Sequence, residues 1–276
     1  MSRTIFLLAT AALAAAACGG PSTDGSSGKT GTTVVAGSVI TESIAYQAAG
    51  DTMQGYLAFC ADSVKKPGVL VVHEWWGLDE YTKRRVRDLA DLGYVAFAVD
   101  MYGNGRTAST PDDALALAMP NYHDPEAAKQ RFDAALAVLK DHPEVDTSRV
   151  GAIGYCFGGS MVLNTVKLGT PLQAAVSFHG GLKGVPADKD LLKTPILVCH
   201  GAEDTNVPDS EVEAFRVQMD SINATYVFKE YAGATHAFTN PSATETGRKF
   251  NLPIAYNAAA DTASWHDMIL FFDKYL

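Results

Sequence analysis

The sequence predicts an α/β fold, a mostly parallel and doubly wound sheet with helices on both faces. Three observations lead there. Short β-branched and apolar runs alternate with segments of helical period, in the strand, helix, strand, helix order that a parallel sheet requires. The runs are apolar almost without interruption, as strands buried on both faces are. No internal repeat and no Pro/Gly/Ser-rich break follows Gly37, so one domain over residues 38–276 is expected.

Taken in order, the expected strands are "GYLAFC", "GVLVVHE", "YVAFAVDMY", "VGAIGYC", "AAVSFHG", "PILVCHG" and "TYVFKEY". The amphipathic stretches between them are Asp79 to Leu92, Pro125 to Asp141, Ser160 to Leu168 and Asp209 to Ile222. In sheets of this class, reactive side chains collect just beyond the carboxyl ends of the strands. Residues at those ends are therefore the first candidates for chemistry.

The segment ahead of the domain is built differently. Arg3 precedes an apolar run from Ile5 to Ala17, about the length of an export-signal core and too short for an ordinary membrane-spanning helix. Residues 1–17 are expected to be a signal peptide with one of two endings. One is cleavage after the small residues Ala15, Ala16 and Ala17. The other is processing as a bacterial lipoprotein, with Cys18 as the lipidated N-terminus. "LAAAAC" resembles a lipobox, although Ala15 occupies its favoured leucine position. The second ending is preferred because it accounts for Cys18, and a lipid there would be the protein's membrane contact. Residues 18–37 are mostly Gly, Ser and Thr, which cannot bury a core and read as a flexible tether. An exported protein facing the periplasm or cell exterior is the expectation.

Charge narrows the partners. With 31 acidic and 22 basic residues the formal net charge is −9, and no Lys/Arg run of five or more interrupts it. Phosphate backbones need a concentrated basic face, so a nucleic-acid partner is excluded. "GKT" at Gly28 to Thr30 has no preceding strand and no first glycine at the required spacing, so it is not a phosphate loop. A zinc reading of His73 and Glu74 fails because Gly77, not histidine, stands four residues after His73. Cys60 and Cys199 fall inside apolar strand-like runs and read as buried, inert thiols.

The remaining cysteine is different. "VGAIGYCFGGS", Val150 to Ser160, is an apolar strand running into a glycine-rich turn with Cys156 at its tip. Gly154 and Gly158 stand two residues either side, the spacing of a nucleophile elbow with cysteine in place of serine. There the reactive residue takes a strained backbone, and side chains two positions away would collide with the crowded main chain. The N–H of Phe157, at the start of the following helix, is a candidate oxyanion donor. A dinucleotide fingerprint fails at its middle glycine, which is Cys156 itself. From this turn alone, a structural cysteine remains open. "LVCHGAEDTNVP" then puts Asp204 beyond one strand, and "YAGATHAF" puts His236 beyond the next. The order nucleophile, acid, histidine is that of the α/β-hydrolases.

With these motifs the chain resembles the dienelactone hydrolase family of the α/β-hydrolase fold, from about Gly50 to the C-terminus. The resemblance rests on "HEWWGL", "DMYG", "GYCFGG", "HGAEDTNVP" and "THAFTNP". It implies Cys156 as nucleophile, Asp204 and His236 as its partners, and Glu74 as a carboxylate that helps control the state of the thiol. It also implies the Trp75 N–H as second oxyanion donor. Trp76 and Tyr102 are candidate substrate contacts, although the two tryptophans fit an aromatic cluster capping the sheet as well. Family members that act on dienelactone grip its carboxylate with two arginines; Asn104 and Asn240 stand at those places, and Arg106 is the nearby substitute. The expected activity is opening of a small ester or lactone through a thioester, with protein groups supplying nucleophile, base and oxyanion donors, so that neither metal nor organic cofactor is implied. The rivals are a non-catalytic ligand-binding lipoprotein and a thiol-dependent acyltransferase or redox protein. The sequence leaves the oligomeric state open.

Overall fold

The computed structural model describes residues 38–276. The expected signal peptide, Cys18 and the tether lie outside the described residues. The chain runs β1 (Val39–Ala48), β2 (Asp51–Cys60), β3 (Lys66–Val72), α1 (Glu80–Asp91), β4 (Val95–Val99), α2 (Pro111–His123), α3 (Pro125–Asp141) and β5 (Val145–Tyr155). It continues through α4 (Phe157–Lys167), β6 (Ala174–Phe178), β7 (Ile196–Gly201), α5 (Asp209–Ser221), β8 (Tyr226–Tyr231), α6 (Ala243–Phe250) and α7 (Ala258–Tyr275). The strands form one sheet in the order β1-β2-β4-β3-β5-β6-β7-β8. From β4 to β8 all neighbours are parallel, while β1 and β2 form an antiparallel hairpin at one edge.

Two apolar layers explain the uninterrupted runs. In β3, Leu70 and Val72 point into one layer with Phe132, Leu139, Met161 and Val162 of α3 and α4. Val69 and Val71 point into the other, with Val86 and Leu89 of α1 and Met268 and Phe272 of α7. A strand covered on both faces needs apolar side chains at every position, so alternation disappears.

Some elements were not anticipated. β1 is an edge strand whose exposed and buried positions mix, so it lacks the apolar run that marks the interior strands. Its turn into β2 uses Ala49 and Gly50, both with positive φ, which suits the twist of a two-residue hairpin. α2 carries an internal Pro120, and α6 and α7 also lie outside the expected helices. Elsewhere the local chemistry is direct: Asp79 caps α1 by accepting from the Thr82 N–H at 3.0 Å, and α3 occupies the anticipated Pro125 to Asp141 with Asp124 as its cap. α4 starts at Phe157, as expected from the elbow and three residues ahead of the amphipathic stretch at Ser160, because the turn at Cys156 feeds the helix directly.

That turn leaves no room for side chains. A Cβ on Gly154 would overlap the Gly158 carbonyl, and one on Gly158 would overlap the Val72 carbonyl of β3. Gly158→Ala is expected to cost about 3 kcal/mol or more in denaturant unfolding, because rigid backbone must move. Gly50→Ala meets open space and only a left-handed backbone, so about 1 kcal/mol is expected. Equal losses in the two variants would contradict the crowding.

Candidate active site

β5 delivers the chain to Cys156 at φ 53°, ψ −116°, a costly backbone for any residue with a Cβ. Two acceptors hold it. The Cys156 N–H donates to the Phe178 carbonyl at 3.0 Å and to His179 Nδ1 at 3.1 Å. The Cys156 Sγ lies 3.1 Å from His236 Nε2, and His236 Nδ1 donates to Asp204 Oδ2 at 2.8 Å. Asp204 follows β7, and its other oxygen accepts the Asn206 N–H at 2.9 Å. His236 follows β8. Each of the three thus sits beyond the carboxyl end of a parallel strand. Burial disfavours a charged His236, but the negative charges and hydrogen bonds of Cys156 and Asp204 outweigh it and hold its pKa well above the ordinary value.

His179 works from beneath. Its Nδ1 accepts from Cys156, so Nε2 carries the proton and donates to Thr239 Oγ1 at 2.7 Å. Burial pushes its pKa well below the usual range, and His236 in edge contact adds to that, so it stays neutral beside the second imidazole. Thr239 Oγ1 also meets the Tyr81 hydroxyl at 2.7 Å, and the Thr239 carbonyl accepts from Arg85, which pairs with Asp261. A continuous polar chain therefore ties the elbow to α1 and α7.

The segment after β3 supplies the opposite side. His73 donates from Nδ1 to the Glu74 carbonyl at 2.5 Å and accepts the Met101 N–H on Nε2 at 3.2 Å, joining the ends of β3 and β4. Asp100 gathers the N–H groups of Gln54, Tyr102, Gly103 and Gly105. The Tyr102 hydroxyl donates to the Trp75 carbonyl at 3.0 Å. Among the described residues, neither the Trp75 nor the Phe157 N–H donates to an acceptor, leaving both available to a ligand. Glu74 is buried, and its Oε2 accepts from Asn240 Nδ2 at 2.6 Å. Burial, reinforced by the charge of Asp79, pushes its carboxyl up to about 7 against the pull of Asn240 and His236.

These groups meet in a cavity of about 270 Å³. Glu74, Cys156, Asn206 and His236 are its polar lining, and Trp75, Trp76, Ala237, Leu252, Pro253 and Ile254 its apolar one. Compared with known proteins, the chain matches the family model described as the dienelactone hydrolase family over residues 53–276. The chain belongs to the dienelactone hydrolase family. It is accordingly a hydrolase of the dienelactone hydrolase type with the α/β-hydrolase fold. It is similar to the crystal structure of a dienelactone hydrolase-like promiscuous phosphotriesterase, P91, from metagenomic libraries, at 34% identity and TM-score 0.82, covering 87% of this chain and 99% of that one. Putative carboxymethylenebutenolidases of Aquifex aeolicus (28% identity; 84% of this chain, 98% of the relative) and Escherichia coli K12 (30%; 82% and 84%) are also similar.

Against the family's pattern, two placements stand out. Asn240, where an arginine was the family expectation, is spent on Glu74. Arg106 does not line the Cys156 cavity: its guanidinium donates to the carbonyls of Tyr102 and Gly103, and it borders a separate small cleft with Leu117 and Asn121. The anticipated carboxylate grip by Arg106 is thereby corrected, since neighbouring carbonyls capture the side chain. Tyr102 is also buried behind the cavity and reaches it only through the Trp75 peptide. Trp76 lines it, packed edge-on to Trp75. Cys60 and Cys199 are buried, as anticipated, with the Cys199 thiol pushed up to about 12 by burial. Sequence reasoning missed His179, whose one signal was its place at the end of "AAVSFHG", and the loop Leu252 to Ile254, which carried none.

The Glu74 carboxyl ordinarily titrates at 4.5 and here at about 7, so between those values the folded protein holds a proton the unfolded chain has lost. Its contribution is full below the lower value, declines as pH rises, and is gone above the higher. Glu74→Gln should match the wild type at about pH 4 and exceed it by about 3 kcal/mol at about pH 8 in denaturant unfolding. An equal difference at both would contradict the assignment.

Proposed function

We propose that the protein hydrolyses small esters or lactones through a thioester on Cys156. The supporting observation is the Cys156 Sγ, His236 Nε2 and His236 Nδ1, Asp204 Oδ2 pair of contacts, at 3.1 and 2.8 Å, opening on a cavity. His236 takes the thiol proton, and the sulfur adds to the carbonyl carbon of the substrate. The developing oxyanion sits between the N–H groups of Phe157 and Trp75. Collapse breaks the C–O bond, and His236 returns its proton to the leaving alkoxide, which in a lactone remains tethered to the acyl group. Water, deprotonated by His236, then adds to the thioester; expulsion of sulfur yields the carboxylic acid and restores the thiol. Asp204 fixes the His236 tautomer and stabilises its charged form. Glu74, held by Asn240 and titrating near neutrality, is the carboxyl that tunes the thiol.

The cavity lining contains no lysine or arginine, which bears on substrate. Uncharged esters and lactones suit it better than carboxylate-bearing ones, because Asn240 and Arg106 are both engaged elsewhere. The kcat/KM for a neutral lactone is expected to exceed that of its carboxylated analogue by about tenfold or more. The reverse preference would contradict this assignment. Cys156→Ala and His236→Ala are each expected to lower kcat for p-nitrophenyl acetate by about 10⁴-fold. Retained turnover in Cys156→Ala would overturn the nucleophile; ligand-induced stabilisation with no ester or lactone turned over would favour a binding protein.

Export is part of the same proposal, supported by the apolar leader and Cys18. A diacylglycerol mass on Cys18 is the expected finding, and an unmodified mature N-terminus would refute the anchor.

A further inference from the structure

A second cavity, of about 280 Å³, lies between the end of α4, the loop at Leu182 to Gly184 and one face of α5, and shares no lining residue with the Cys156 cavity. Lys167, in the last turn of α4, contributes to its lining yet is only 2% exposed. Among the described residues its ammonium has no hydrogen bond and no ion pair, and it stands over the apolar face of Phe215, 5.3 Å from the ring centroid. Burying an ammonium without an anion is costly.

The carboxylate nearby does not serve it. Glu211 Oε1 accepts the N–H groups of Leu182 and Lys183, at 2.6 and 2.9 Å, and its Oε2 lies 3.6 Å from the Lys183 ammonium. Burial alone pushes the Lys167 amine down to about 8, with no partner drawing it back. The cavity therefore presents one unpaired cation, beside the apolar surfaces of Leu182, Ala214 and Phe215.

We propose that this cavity is a second binding site, taking a small monocarboxylate with a short apolar body whose carboxylate pairs with the Lys167 ammonium. Lys183, the other ammonium on the lining, is paired with Glu211, so the free positive charge is single and, without an arginine fork, matches one negative charge better than a phosphate, which gathers several donors. The apolar walls accommodate an aryl or short alkyl group, and Phe215 faces both parts.

Isothermal titration with sodium benzoate, sodium butyrate and inorganic phosphate, at constant ionic strength, tests this on the full chain. Benzoate and butyrate are expected to bind more tightly than phosphate, and Lys167→Met to weaken them by about tenfold or more. Circular dichroism melting confirms that the variant is folded. Should Lys167→Met fail to fold, Ala214→Phe, which fills the cavity and keeps the lysine, is expected to give the same loss. The proposal is overturned if neither carboxylate binds the wild type, if phosphate binds more tightly, or if the folded variant binds as the wild type does. None of these outcomes depends on Cys156 chemistry.

Discussion

The left-handed backbone of Cys156 is the constraint on which the site depends. It survives because α4 approaches β5 and β3 so closely that neither Gly154, against the Gly158 carbonyl, nor Gly158, against the Val72 carbonyl, has space for a Cβ, and because the Cys156 N–H is shared between Phe178 and His179. Strain at one residue is thereby carried by a packed sheet and helix. The consequence is directional: the thiol faces His236, while the first N–H of α4 stays open beside it.

Around that point, burial decides protonation. His179 and His236 lie in edge contact, yet burial and the neighbouring imidazole keep His179 neutral, whereas Cys156 and Asp204 draw a proton to His236. Burial and the charge of Asp79 outweigh the amide donor of Asn240 at Glu74, so its carboxyl titrates near neutrality instead of being locked as an anion. The cavity holds acid and base functions within one small volume, each set by its own surroundings.

Legibility in the sequence followed burial. The interior strands were plain because both faces are covered, and Asp204 was found because it follows one of them, β7; His236 follows the edge strand β8, whose aromatic and β-branched run "TYVFKEY" still marked it. β1 was passed over because "VITESIAYQA" breaks its apolar positions with Thr, Glu, Ser and Gln, three of which are exposed in a row, and so lacks a continuous run. Side-chain direction was the other gap. Arg106 stands close in sequence to the family's arginine position, but the carbonyls of its own turn hold it away. His179 could be counted into a strand, but its bond to the Cys156 N–H joins positions 23 residues apart, which no local pattern reveals.

The thioester route is tested most directly by peptide mass spectrometry of enzyme quenched in acid during turnover of an activated ester. An acyl mass on the peptide that carries Cys156, rising in the first turnover and decaying as substrate is exhausted, is the expected result. Turnover with no acyl mass on Cys156 at any time, or with the adduct on another residue, would contradict it.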